Sequence, residues 1–280
     1  MPLISIITVN YNDSLGLERT IKSVQEQTVT DYEHIIIDGG STDGSKEVIE
    51  RYKNSFSHWV SEPDNGIYSA MNKGIKASKG VYLLFLNSGD SLYTNEVLQK
   101  VSRQLVGDYS IYYGDIIRIY SEHKALRKSY PKVLNFGFFV ESALAHQSVF
   151  IKKELFDSYF YYNESFKILS DWEFLIYLIC NRNIPYKHLD MIISNYDMNG
   201  VSSQMEGRII MKQERHITYK KHFPLFMEDY KNLIDEQEPE HIIFSNKIIT
   251  LRTNKWIKPV FIAGTNCLYA FIKLKRKLVN

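Results

Sequence analysis

Residues 3–13 read LISIITVNYND, and this stretch decides the fold. It begins with an apolar run rich in β-branched side chains, which predicts a strand buried on both faces. Polar residues at positions 10–13 end the run, and Ser14 can cap a helix whose apolar residues have helical spacing. A buried strand that leads through a polar turn into a helix is typical of a parallel sheet covered by helices.

The same alternation continues along the first part of the chain. Further strands are predicted at residues 32–37, 56–60 and 81–86, with helices within residues 41–53 and at 69–77. After Leu92 the pattern is less regular. Strands are predicted there at residues 111–120, 147–151 and 191–196, and helices at 97–106 and 170–180. The pattern predicts an α/β fold with a mostly parallel central sheet flanked by helices.

Two regions are predicted within the chain. Residues 1–205 carry the strand-helix alternation and form the sheet domain. Residues 206–280 are helical and lysine-rich, and we expect them to lie near an acceptor or a membrane. An apolar stretch at residues 256–272 is followed by four basic residues within 273–277. This tail is either a packing helix with a solvated basic end or a segment that contacts an anionic membrane surface.

Charge and cysteine content restrict the classes of protein. The 280 residues include 34 basic and 32 acidic side chains, and a net charge of +2 gives no field that attracts nucleic acid. Cys180 and Cys267 lack metal-ligand spacing, no basic leader precedes the first strand, and no apolar run reaches the roughly 18–20 residues of a spanning helix. We expect a cytoplasmic protein, either free or peripheral on the inner face of the membrane, whose oligomeric state the sequence leaves open.

Polar residues follow the first two predicted strands. Tyr11 comes after the first strand, and its ring can stack on a nucleobase. Asp38 ends the second strand, and its carboxylate can accept a hydrogen bond from a ring N–H such as that of uracil. The alternative is that residues 38–44 form only a tight turn, which also needs Asp and Gly.

The third and fourth predicted strands also lead into acidic segments. Asp64 precedes a helix that contains Lys73, although a Pro-Asp-Asn-Gly turn that caps the helix gives the same pattern. Residues 87–90 read NSGD, where Gly89 lets a ligand approach the backbone and Asp90 can bind Mg²⁺ or Mn²⁺. The alternative is a β-turn with a solvated carboxylate. Because ligands bind at the carboxyl ends of parallel strands, these segments predict a nucleotide diphosphate site.

A further carboxylate, Asp171, opens the predicted helix at residues 170–180. A rigid helix start would hold Asp171 as a general base, beside Trp172, whose ring can pack on a sugar. The alternative is that Ser170 or Asp171 is only the helix cap. Residues 109–148 include Asp115, Arg118, His146 and Gln147, and the sequence gives them no definite role.

Taken in order, these segments resemble glycosyltransferase family 2, a group with the GT-A fold. The resemblance covers about residues 1–205 and rests on four segments: the Asn-Tyr pair after the first strand, the acidic turn at 38–44, the segment 64–74 and the metal motif 87–90. Asp171 and the Gly-x-Ser segment at Gly200 and Ser202 match shorter family motifs. Two motifs depart from the family: Ser88 and Gly89 replace acidic residues often found beside Asp90, and Ser170 replaces a Glu often found before the general base.

The resemblance implies an inverting, metal-dependent hexosyltransferase that uses Mn²⁺ or Mg²⁺. The donor implied is a UDP-hexose or UDP-N-acetylhexosamine, and the acceptor a saccharide or lipid-linked saccharide in bacterial cell-surface polysaccharide synthesis. It implies Asp171 as the base and Asp90 as the metal ligand. The nucleotide-binding residues implied are Val9, Tyr11, Asp38, Asp64, Lys73, Ser88 and Gly89. The residues on the acceptor or sugar side are Trp172, His146, Gln147, Gly200 and Ser202.

Two other functions remain open from the sequence. A sugar-phosphate nucleotidyltransferase also binds nucleotides on a parallel sheet, but residues 10–13 read NYND where such enzymes carry a glycine-rich basic loop. A non-catalytic protein that binds nucleotide sugars is the second alternative, because Asp90 is the only acid of its motif.

Overall fold

The computed structural model describes residues 1–121, 123–198 and 205–229. The strands are β1 (Ile4–Asn10), β2 (Tyr32–Asp38), β3 (His58–Ser61), β4 (Tyr82–Phe85), β5 (Ser91–Leu92), β6 (Ile111–Ser121), β7 (Lys124–Lys128), β8 (Val149–Lys152) and β9 (Tyr186–Asp197). The helices are α1 (Ser14–Gln25), α2 (Ser45–Tyr52), α3 (Ile67–Ala77), α4 (Val97–Ser102), α5 (Phe136–Glu141), α6 (Glu154–Ser158), α7 (Ser170–Ile176), α8 (Met205–His222) and α9 (Phe226–Asp229).

Within the described residues, the strands form one mixed sheet in the order β3-β2-β1-β4-β8-β6-β9-β5, and β7 pairs with β6. The first half of this sheet is the predicted parallel block, since β1 pairs in parallel with both β2 and β4, and β2 with β3. In the register of these pairs, Asn10 lies beside Asp38, and Asp38 beside Ser61. The carboxyl ends of the strands therefore meet at one edge, and the predicted α/β class is confirmed.

Helices α1 and α3 cover the parallel block for reasons that the sequence contains. Asp13, and not Ser14 as the sequence suggested, caps α1 by accepting a hydrogen bond from the Gly16 amide, at 2.9 Å. The buried face of α1 includes Leu17 and Ile21. On α3, a Cβ at Gly74 would lie 2.4 Å from Cγ2 of Ile7, so only glycine lets this helix pack so closely on β1.

The second half of the sheet differs from the simple alternation of the first. Strand β8 is antiparallel to β4 and β6, whereas β6 is parallel to β9. The β6–β9 register shifts between Tyr113 and Asp115, and such a bulge hides the period of two from sequence reading. Strand β9 begins at Tyr186, five residues before the strand predicted at 191–196. Helix α7 ends at Ile176 and continues as a π-helical turn at Tyr177–Asn181, where the sequence predicted one helix through residue 180.

The chain divides into two units, Met1–Leu225 and a second that begins at Phe226. The boundary predicted at residue 205 therefore falls inside the first unit. Among the described residues, helix α8 follows that boundary and packs within the first unit. Glu214 of α8 accepts hydrogen bonds from the amides of Lys167, Ile168 and Leu169, just before α7. Of the second unit the structure describes α9 alone, and the predicted basic tail at 256–277 lies outside the described residues. No described helix is long and apolar enough to cross a membrane.

Candidate active site

A buried carboxylate organises the edge where β1, β2 and β3 end. Oδ1 of Asp38 accepts hydrogen bonds from the Asn10 amide at 2.7 Å and the Ser41 hydroxyl at 2.6 Å. Its Oδ2 accepts from the Ser61 hydroxyl and from the backbone amides of Gly40 and Ser41. Burial would raise the pKa of Asp38, but these hydrogen bonds outweigh it and lower the pKa.

This arrangement corrects the expectation that Asp38 hydrogen-bonds a nucleobase directly. The residue has no exposed surface, and both of its oxygens are engaged by the protein. Asp38 instead fixes the loop after β2. The residues open to a ligand lie beside it: Tyr11 is 69% exposed, and a Cβ at Gly39 would lie 3.2 Å from the Tyr11 ring and 2.9 Å from Oδ2 of Asp64. The exposed Tyr11 ring and the partly buried Asp64 carboxylate thus lie close together over the buried Gly39 at the strand ends.

The chain after β4 stays beside β1 and carries Gly89 and Asp90. The Ser88 amide donates to the Val9 carbonyl at 3.1 Å, which extends the β1–β4 contact past the end of the strand. Gly89 has a φ of +94°, a conformation that favours glycine. A Cβ on Gly89 would lie 3.5 Å from an oxygen of Asp13 and 3.6 Å from Asp197, so carboxylates surround this turn.

Asp90 is a buried acid, and one of its two carboxylate oxygens accepts no hydrogen bond from the described residues. Its side chain is 4% exposed, and its Oδ1 accepts a hydrogen bond from the Asp197 amide at 3.0 Å. Its Oδ2 accepts no hydrogen bond from any residue that the structure describes. Burial raises the pKa of Asp90 to about 7, although the nearby His146 opposes the rise. A carboxylate in this state gains from a nearby cation.

Asp171 lies in contact with two other side chains of the site. The Tyr68 hydroxyl donates to its Oδ1 at 2.9 Å, and Nδ1 of His146 lies 3.1 Å from its Oδ2. Burial lowers the pKa of His146, but the Asp171 hydrogen bond and the charges of Asp171 and Asp90 outweigh it and raise the pKa. Nε2 of His146 is buried and has no hydrogen-bond partner among the described residues. Asp90, His146 and Asp171 therefore form one electrostatic cluster.

The remaining residues from the sequence fall into three groups. Lys73, which lies on α3, forms an ion pair with Glu62, with 2.8 Å between its Nζ and the Glu62 carboxylate. Gln147 is 1% exposed and adjoins His146, and its Nε2 has no hydrogen-bond partner in the described part of the chain. Gly200 and Ser202 lie outside the described residues.

The structure corrects the role expected for Trp172. The residue is 1% exposed, its Nε1 donates to the Phe139 carbonyl at 3.1 Å, and the Arg215 guanidinium lies 5.0 Å from its ring centre. With both faces packed inside the protein, the ring has no surface left for a sugar. Trp172 instead holds α7 against α5 and α8.

Two other acids near the predicted base are engaged elsewhere. Glu173 is fully buried and pairs with Lys221 and His222 of α8. Asp115 pairs with Arg127 and His188. Tyr68, which the sequence did not single out, is the residue that the fold adds to the site, because its contact with Asp171 joins positions 103 residues apart.

The state of Asp90 predicts a pH-dependent cost to folding. An unfolded Asp ionises above its ordinary pKa of 3.8, whereas the folded group keeps its proton up to a pKa of about 7. Ionisation therefore destabilises the fold increasingly as the pH rises between these values. With EDTA present, we expect Asp90→Asn to raise the melting temperature by several degrees at about pH 8, with the gain shrinking as the pH falls to about 4. Asp108→Asn, at an exposed position, is the control, and a gain that does not change with pH would contradict the expectation.

Comparison with known proteins finds a family match for this chain. A family model described as glycosyl transferase family 2 matches residues 5–168. The "PGL/p-HBAD biosynthesis glycosyltransferase" of Mycobacterium tuberculosis (strain ATCC 25177 / H37Ra) is 27% identical over 219 residues, which cover 76% of this chain and 84% of that protein.

Two solved structures share the fold. S. aureus TarS 1–349 in complex with UDP-GlcNAc aligns with a TM-score of 0.65 at 18% identity, covering 93% of this chain and 79% of that one. The mannosyltransferase PcManGT from Pyrobaculum calidifontis, in complex with GDP-Man and Mn²⁺, aligns with a TM-score of 0.61 at 13% identity, covering 94% and 86%. At these identities the structural likeness shows a shared GT-A fold.

Proposed function

We propose that this chain is an inverting enzyme with a nucleotide sugar as donor. The proposal starts from its family, because the chain belongs to glycosyl transferase family 2 and is a glycosyltransferase. The donor we propose is a UDP-hexose or UDP-N-acetylhexosamine, and the acceptor a saccharide or lipid-linked saccharide of a cell-surface polysaccharide. The observation that carries the proposal is the cluster in which His146 contacts Asp171 and is coupled to the charge of Asp90. In this proposal Asp90 is the site at which the charge of the leaving group is neutralised, and Asp171 is the general base for the acceptor.

The strand ends suit the nucleotide part of the donor. Tyr11 offers an exposed ring on which the nucleobase can stack. The Asp64 carboxylate lies beside the Tyr11 ring, next to Gly39. Val9, Ser88 and Gly89 line the β1–β4 edge, and Lys73 is on the neighbouring helix α3. TarS, with the same fold, was solved with UDP-GlcNAc, and this supports a nucleotide-sugar donor here.

The residues present also fit a divalent cation. Asp90 offers a carboxylate oxygen without a hydrogen bond in a buried setting, and Mg²⁺ or Mn²⁺ is commonly held by one or two carboxylates together with phosphate oxygens and water. The described residues contain no group of three or more His, Cys, Asp or Glu that could hold a metal, so phosphate and water would complete the shell. Bound at Asp90, the cation would neutralise charge on the departing diphosphate. PcManGT, solved with Mn²⁺, supports this assignment.

The chemistry of the step requires a base for the acceptor. The acceptor hydroxyl oxygen bonds to the anomeric carbon while the bond from that carbon to the diphosphate breaks on the opposite face. The hydroxyl proton passes to Asp171. Each carboxylate oxygen of Asp171 accepts one hydrogen bond, from Tyr68 or His146, and keeps a second acceptor position for the hydroxyl. These contacts also fix the orientation of the carboxylate.

Release of free nucleoside diphosphate tests the proposal. The purified protein is incubated with a panel of UDP-, GDP- and dTDP-sugars and Mn²⁺, with and without a saccharide acceptor mixture. We expect slow release of UDP from one UDP-sugar without acceptor and faster release with it. Binding of UDP-sugars without any release would favour a non-catalytic binding protein. Formation of nucleotide sugar from a sugar phosphate and UTP would favour a nucleotidyltransferase.

A further inference from the structure

Arg118 and Lys128 are two cations placed together beside the site. In the β6–β7 ladder, Arg118 pairs with Leu126, and Lys128 pairs with Ile116. The two basic residues are therefore diagonal neighbours whose side chains share one face of the sheet. Burial lowers the pKa of Lys128, and the charge of Arg118 lowers it further. Arg118 and Lys128, which we call the cation pair, are thus close enough to repel each other.

No anion of the described residues compensates the cation pair. Neither side chain forms an ion pair there, and Nε of Arg118 is buried without a hydrogen-bond partner. The nearest acid on β6, Asp115, already binds Arg127 through two hydrogen bonds, at 2.7 and 3.1 Å. Two partly buried like charges without a counterion are costly, and a bound anion would remove that cost.

Other groups around the cation pair can hydrogen-bond an oxyanion. Ser194 and Tyr196 of β9 lie beside Ile116 and Arg118 in register, on the face that carries the cation pair. The Ser194 hydroxyl is buried and has no partner in the described part of the chain. A guanidinium, an ammonium and a hydroxyl on one face suit a phosphate group.

The cation pair is linked to the proposed base through a short series of contacts. The Lys128 ammonium lies 5.7 Å from the ring centre of Tyr130. The Tyr130 hydroxyl accepts a hydrogen bond from the Ala145 amide at 3.1 Å. Ala145 precedes His146, whose ring contacts Asp171. These contacts connect the cation pair to the proposed general base Asp171. The register that puts Ile119 beside Asp197, whose amide donates to Asp90, also places the cation pair near Asp90.

We propose that Arg118 and Lys128 bind a phosphate group of the acceptor, such as the phosphate or diphosphate that joins a saccharide to a lipid. This rests on the proposed function, because it assigns the acceptor side by the position of Asp171. The same phosphate chemistry could come from the diphosphate of the donor. The two sources differ in one respect: an acceptor phosphate binds while a nucleotide occupies the donor site, and a donor phosphate does not.

Calorimetric titration with hexyl phosphate tests the proposal. The full-length protein is titrated in Mg²⁺ with and without saturating UDP. We expect hexyl phosphate to bind in both cases, and Arg118→Gln or Lys128→Gln to weaken it by about tenfold. UDP affinity should change less than about twofold in either variant. Lys124→Gln is the matched control, because Lys124 is an exposed lysine of the same strand. It should leave hexyl phosphate affinity unchanged.

Several outcomes would overturn the proposal. If saturating UDP abolishes hexyl phosphate binding and Arg118→Gln weakens UDP about tenfold, the cation pair serves the donor diphosphate. If Lys124→Gln weakens binding as much as the two variants, the effect is general electrostatic attraction. If hexyl phosphate affinity is the same in all variants, the cation pair binds no phosphate. Failure of the proposed function is distinguishable, because it appears as absent UDP binding in the wild type, while titration without UDP still reports on the cation pair.

Discussion

Replacing Asp171 with Asn is expected to lower the rate of sugar transfer by roughly 10² or more and to leave UDP binding unchanged. The amide keeps the shape of the side chain and an oxygen that can accept from Tyr68, but it cannot take a proton from the acceptor hydroxyl. Asp171 makes no described contact with the strand ends where the nucleotide is proposed to lie. The measurement pairs UDP titration with the initial rate of UDP release in the presence of acceptor.

Asp157→Asn is the matched control for this variant. Asp157 is an exposed acid on α6 that also accepts a hydrogen bond from a tyrosine, at 2.6 Å from Tyr161, but it lies outside the site. Its replacement should leave transfer unchanged. If Asp171→Asn loses UDP binding as well, Asp171 is structural. If it transfers at the normal rate, the base is elsewhere, and His146 becomes the candidate because Glu173 and Asp115 are held in other ion pairs.

Replacing Asp90 with Ala is expected to abolish Mn²⁺-dependent UDP binding and turnover. Asp90 is the buried carboxylate of its turn, and its Oδ2 accepts no hydrogen bond from the described residues. Its loss would remove the carboxylate proposed to hold the cation, and loss of transition-state charge stabilisation typically costs about 10²–10³ in rate. UDP affinity with Mn²⁺ and with EDTA is the measurement, and exposed Asp108→Ala is the control.

The contrary outcome for Asp90 is equally specific. If the Asp90→Ala variant keeps the Mn²⁺ dependence of UDP binding, another group holds the cation. Asp13 and Asp197, which lie on either side of Gly89, would then be the residues to replace. If neither protein shows a Mn²⁺ effect, the proposed metal dependence is wrong.

The parallel half of the fold could be predicted because its signals are local. The strands β1, β2 and β4 are apolar runs ended by polar turns, so their positions along the chain and the polar segments at their carboxyl ends could be predicted from the sequence pattern. The second half could not be predicted in the same detail. Strand β7 is short and exposed on nearly every residue, and the β6–β9 register shift adds extra residues to β9, whose first part the sequence did not predict.

The site was harder to predict than the sheet, since its contacts join distant residues. Asp171 was placed by its position at a helix start, but its partners Tyr68 and His146 are set by tertiary packing. The burial of Trp172 depends on α5 and α8, which no local pattern near residue 172 indicates. The absence of a described counterion for Arg118 likewise emerges only from the arrangement of strands.

A crystal structure with UDP and Mn²⁺ bound tests the central claim most directly. That claim is that the strand ends bind a nucleotide diphosphate and direct its sugar toward Asp171. We predict that the nucleobase packs against the Tyr11 ring beside Asp64. We predict that the diphosphate binds at Gly89, with a cation on Asp90. We also predict that the end of the diphosphate that carries the sugar faces Asp171 and His146. A nucleotide bound elsewhere, or a diphosphate out of contact with Asp90, would contradict the account.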